Sequence, residues 1–152
     1  MSFIASSSSS SFTPGEARAS HKGRFALIGL ATVVAAVFAN VLVYFIGGMM
    51  VAYDPRFLIL SNVSGAVIFT LAPAIVAVLL YAILQRFARH PARTFTIIAA
   101  VVFVVTLIPD FTYTPTFPGS TGGQTVVLML MHLVAAAVIV GMLTRLTRPQ
   151  SR

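Results

Sequence analysis

The chain has 152 residues, 58% of them hydrophobic and 9% charged, with a net charge of +7. Soluble domains carry about 25% charged residues, so this composition excludes an ordinary water-facing surface; the basic surplus lies between long apolar runs, not on a nucleic-acid-binding patch. The lack of cysteine excludes disulfides, thiol catalysis, iron–sulfur clusters and thiolate metal sites.

Residues 1–24 are polar and of low complexity, with serine at every position from 6 to 11, then Pro14 and Gly15. Such a segment cannot bury enough apolar surface to offset its ordering entropy, so it is expected to be a disordered tail. The first apolar run, residues 25–48, is uncharged. At 1.5 Å per residue it is about 36 Å long, enough to cross a hydrocarbon core of roughly 30 Å. A cleaved leader ending near Ala39 is the rival reading, but the apolar run continues through residues 41–52, which a leader does not need. A polar link with Asp54, Pro55 and Arg56 leads to the second run, residues 58–84, whose early part contains Ser61, Asn62 and Ser64.

Arg86, Arg89, His90 and Arg93 mark the next link. Pro91 suits the first turn of a third helix, expected over residues 91–108 and ended by Pro109 and Asp110. The longest connection, residues 110–123, holds Pro115, Pro118 and three glycines, and a fourth helix follows over residues 124–146. In that connection Phe111, Tyr113 and Phe117 alternate with threonine, as in an extended segment showing its rings to one face of an aromatic belt that also takes in Tyr53. The basic tail 148–152 closes the chain. Nine of the ten Lys and Arg fall before helix one, between helices two and three, or after helix four; only Arg56 falls on the other side. The positive-inside rule then makes both ends cytoplasmic. The expected fold is all-α, an up-down-up-down bundle of four transmembrane helices over residues 25–147.

With no charge in the four expected cores, Asn40 and His132 stand out. Each lies eight residues from the outer end of its helix, so both sit roughly 12 Å deep and are expected to meet. Packing contact and ligand or proton site are both open readings for this pair. Asp110, at the outer end of helix three, reads either as a solvated loop carboxylate or as a partner of His132 or Arg56 at a small cavity. Small residues four apart, Ala35 and Ala39, Ser61 and Gly65, Ala137 and Gly141, are expected to let helix backbones approach closely. Pro73 frees a carbonyl one turn earlier and marks a kink or hinge. His21 and His90 lie on the side opposite His132, so haem, zinc and other cofactors are not expected. With no Asp or Glu in a span, proton-coupled export is disfavoured.

The segment from Leu71-Ala72-Pro73 to Phe87-Ala88-Arg89, and above all residues 130–139 around Met131-His132, resemble a family of small bacterial four-helix membrane proteins known as domain of unknown function 6069. The resemblance covers residues 25–147, with Asn40 and Met131-His132 as the matching polar positions. It implies the four-span fold and a bacterial inner membrane, and brings no activity. Two functional readings follow. The first is a non-enzymatic accessory protein that self-associates or joins a larger membrane complex, resting on the small-residue faces and on the lack of a nucleophile–base–orienter set. The alternative is a binder or carrier of a lipid or quinone at the level of Asn40 and His132.

Overall fold

The computed structural model describes residues 14–147. Four helices, α1 (Pro14–Met50), α2 (Val63–Phe87), α3 (Pro91–Thr112) and α4 (Gly122–Leu146), are joined by short links, with one 3-10 turn at Thr114–Thr116. All four are long and apolar enough to cross a membrane. Among the described residues there is no strand.

Local chemistry explains where these helices start and stop. α1 begins at Pro14, where the missing N–H costs nothing, and continues through the helix formers Ala17 and Ala19 into the apolar run. α1 therefore begins inside the segment read as a tail, and residues 1–13 and the tail 148–152 lie outside the described residues. α2 starts at Val63, not at 58, because Asn62 takes an extended conformation and its side chain accepts from the Ser64 N–H. α3 starts at Pro91 as expected but runs past Pro109 to Thr112. Proline removes only the bond from position 109 to the Val105 carbonyl, and the Tyr113 N–H restores helical bonding at the Pro109 carbonyl, 2.8 Å away. Asp110 thus belongs to a membrane-span helix, correcting the expectation that the spans hold no acidic residue. α4 is opened by a capping box, with Thr121 and Gln124 bonding each other's backbone. The expected extended aromatic segment is not there: Phe111 lies in the last turn of α3, and the 3-10 turn follows.

α1 packs against both α2 and α4, α3 packs on α4, and of these neighbouring pairs around the bundle α2 and α3 touch least. Two apolar clusters result. One gathers Ala36, Ala74, Tyr81, Phe95, Ile139 and Leu143; the other gathers Phe57, Leu60, Ala66, Val127, Leu128 and Met131. The outer faces are apolar as well, with Phe38, Phe45, Ile68, Phe69, Ile97 and Val104 all more than half exposed. Helices apolar on both faces are what a hydrocarbon surround requires.

The links are pinned to the bundle. Gly65 passes so close beneath the Ile59 carbonyl that no side chain would fit there. Gly119 combines a φ of 78° with close contact to Asp54 and Arg56, a backbone state and a space that both favour glycine. Tyr53 donates to the Tyr44 carbonyl at 2.7 Å. Burial, and secondarily the neighbouring Tyr44, raise its pKa above the usual phenol value and keep it a donor.

Candidate functional site

Because α2 touches both α3 and α4 only sparsely, a cavity of about 420 Å³ remains between α2, α3 and α4. That volume falls within the roughly 300–1,000 Å³ of ordinary ligand pockets. Its walls are almost entirely apolar, and the polar side chains among its lining residues are Asn40, Thr70, Thr106 and His132. Phe69, Val76 and Val102 also line it and are more than half exposed, so the cavity reaches the bundle's outer surface along the α2–α3 seam.

Asn40 and Thr70 sit where the two apolar clusters meet, each one helical turn from a member of a cluster: Ala36 on α1, Ala66 and Ala74 on α2. The Thr70 hydroxyl donates to the Ala66 carbonyl at 2.7 Å. A carbonyl has no hydrogen to give, so the hydroxyl hydrogen is committed there, and Thr70 Oγ1 can only accept from Asn40, also at 2.7 Å. This fixes the amide orientation: Nδ2 faces Thr70, and Oδ1 is left buried without a hydrogen-bond partner. Asn40 is only 4% exposed, so a native protein ordinarily pairs such an oxygen.

The same reasoning fixes the tautomer of His132. Its Nδ1 lies 2.9 Å from the Leu128 carbonyl and therefore carries the hydrogen. Asp110 Oδ2 lies 3.2 Å from the same nitrogen. One hydrogen serves the carbonyl, and Asp110 Oδ2 has no hydrogen-bond partner. Asp110 is buried behind the imidazole, is absent from the cavity wall, and holds the ring in place. Nε2, the second ring nitrogen, makes no hydrogen bond with the protein among the described residues.

The expected direct contact of Asn40 with His132 is replaced by two separate pairs, Asn40–Thr70 and His132–Asp110, around one cavity. Of the two partners open to Asp110, the structure brings it to His132, and the buried Thr114 follows in the turn after α3. Arg56 donates its backbone N–H to Asp54 instead of joining Asp110. Thr70 was missed as a site residue because a helical threonine ordinarily bonds its own backbone; the nearby Pro73 was the available signal. α2 is continuous through Pro73, which lines the cavity, and the Phe69 carbonyl receives no hydrogen from position 73.

The small residues divide differently from expectation. On α1 the fully buried line is Thr32 and Ala36 with Asn40, one position away from Ala35 and Ala39, which are half-buried. Ser61 is in the link before α2, where its hydroxyl donates to the Leu58 carbonyl. Ala137 is exposed, and the space around Gly141 is open; with Ala35 they form a shallow outward groove. The tight helix approach occurs at Gly29, against Val78.

Among the described residues no three His, Asp or Glu side chains gather as metal ligands. His132 and Asp110 form a base with its orienting carboxylate. The Thr106 hydroxyl donates to the Phe103 carbonyl and is not directed at the imidazole. The description of a family of unknown function (DUF6069) matches residues 20–149. No curated protein and no solved structure matches the chain.

Proposed function

Since the chain belongs to this family of unknown function, DUF6069, we propose from the site itself that it is a membrane-embedded binder of a small apolar molecule, a lipid or a quinone, held between α2, α3 and α4. The observation that carries this reading is a pocket-sized, almost wholly apolar cavity that opens at the α2–α3 seam and has Asn40, Thr70, Thr106 and His132 among its lining residues. The seam between α2 and α3 opens sideways, so a molecule dissolved in the bilayer enters without crossing water.

The membrane reading rests on four apolar spans with apolar outer faces. An up-down order of the helices is supported by Gly29 lying against Val78 while Tyr44 reaches the Leu60 carbonyl. The nine-to-one division of Lys and Arg supports cytoplasmic ends in an inner membrane. The accessory-subunit reading keeps one favourable observation, the outward groove of Ala35, Ala137 and Gly141, which has room for a helix of a second copy. Leucine at 137 and 141 would then abolish cross-linked dimers without lowering the melting temperature of the monomer.

The test of ligand binding is gentle purification of the full chain followed by mass spectrometry of what accompanies it. A stoichiometric apolar compound is expected, and Ala136→Phe, which fills the cavity from α4, should expel it. Purification free of any such compound, together with no uptake of added lipids or quinones, would sink the reading.

A further inference from the structure

Among the described residues Asp110 is the one acidic side chain inside a span, and it lies beside the one titratable residue of the cavity wall. Its Oδ2 is 3.2 Å from His132 Nδ1; the carboxylate is nearly buried, whereas the imidazole is 37% exposed and so open to whatever fills the cavity. At this distance the two groups titrate as one unit. What matters is then the number of protons on the pair, whichever member holds them. With one exchangeable proton the pair is neutral overall, as imidazolium with carboxylate or as imidazole with carboxylic acid. Without it the pair carries one net negative charge.

No other charge among the described side chains is placed to compensate that one. On α3, Arg93 lies roughly 26 Å along the axis from Asp110, and on α4, Arg145 lies roughly 20 Å past His132. Arg86 closes α2, beyond the level at which Tyr81 meets Thr147 at the end of α4. The charged residues of α1 stop at Arg24, roughly 24 Å before Asn40 on the cavity wall. In the first link the Arg56 N–H bonds Asp54, and both residues lie against Gly119. A net charge on the pair is therefore uncompensated in an apolar surround, which is costly. An apolar ligand seated against His132 excludes water from the exposed imidazole and makes that charge costlier still.

We propose that occupancy of the cavity by a neutral apolar molecule is coupled to the uptake of one proton by the His132–Asp110 pair. The proposal rests on the cavity being a binding site and names how that site is regulated. Asp110 supplies the intramembrane acid whose expected absence spoke against proton coupling. The sign follows from the proton count. The filled cavity favours the pair that has kept its proton, so binding is tightest below the pair's titration and weakens as pH rises through it. One linked proton changes the affinity by at most about tenfold per pH unit.

The full chain in phosphatidylcholine nanodiscs is titrated with tritiated decylquinone and with tritiated monoolein. The range is about pH 6–9, which takes in the ordinary imidazole value and stays below that of tyrosine. Neither probe titrates there. For a probe that binds, affinity should fall by at least about tenfold across the range. A pH indicator in weakly buffered suspension should show protons taken up as the probe binds, approaching one per molecule; this measurement needs no variant. Asp110→Asn leaves a single imidazole, which is neutral once it has lost its proton. The sign should then reverse, with affinity rising from the low end of the range and protons released on binding. Asp110→Asn combined with His132→Gln leaves nothing to titrate and should give a flat profile. His90→Gln removes an exposed imidazole at the start of α3 and should leave the wild-type fall unchanged. A flat or rising wild-type profile, binding without proton uptake, or a fall that persists in the double variant would overturn the coupling and leave the cavity reading standing. If neither probe binds and Ala136→Phe changes nothing that co-purifies, the cavity reading falls and the coupling with it.

Discussion

Asn40 and Thr70 illustrate how much one committed hydrogen decides. The Thr70 hydroxyl serves its own helix, and that single bond determines which end of the Asn40 amide is turned to Thr70. Interhelical hydrogen bonds of this kind contribute about 0.6 kcal/mol on average and rarely above roughly 1.7. Asn40→Ala and Thr70→Ala are each expected to cost that much, and the double variant less than their sum, in thermal melts of the purified chain. His132→Ala combined with Asn40→Ala should instead be additive, because the two side chains have different partners. Coupling between positions 40 and 132 as strong as between 40 and 70 would contradict the described pairing. Gly65→Ala should be costlier than its size suggests, by about 1–3 kcal/mol, since the new methyl meets the Ile59 carbonyl, which cannot move without shifting the link.

At the scale of elements, ends and approach points differ in what they tolerate. The capping box that opens α4 makes Thr121→Ala destabilising by about 0.5–2 kcal/mol, with Thr121→Ser restoring most of the loss. A melt in which alanine equals threonine would mean the cap contributes nothing to the folded bundle. Gly29 and Gly141 supply a sharper contrast. Leucine at 29 meets Val78 and should lower the melting temperature, whereas leucine at 141 enters open space and should leave the monomer's melt unchanged. The reverse result would put the tight α1–α2 approach in the wrong place.

For the whole molecule, orientation is the property with the widest consequences, because it decides from which leaflet the α2–α3 seam is reached. The chain has no cysteine, so single introduced thiols report without background. Ala52→Cys in the first link and Arg89→Cys in the second are both exposed. In intact cells a membrane-impermeant maleimide should label position 52 and not position 89, as the division of basic residues requires. Labelling of Arg89→Cys from outside would reverse the topology.

Apolar runs too long for anything but a span, and the polar breaks between them, were legible in the sequence because length and hydropathy act locally, residue by residue. The same locality made Pro91 readable as a helix start and Asn40 and His132 readable as exceptions to be explained. Helix ends were less legible. Pro109 was read as a stop, although a proline one turn from the end costs a single bond, and Ser61 and Asn62 were read as helix although the Asn62 side chain caps it and Ser61 bonds back to Leu58. Partner choice was not local at all. Matched depth suggested Asn40 with His132, but which side chains meet depends on helix rotation and on how far each helix rises before it turns. Only the packed bundle, with α2 touching α3 and α4 sparsely, gave Asn40 to Thr70, His132 to Asp110, and a cavity to the space between α2, α3 and α4.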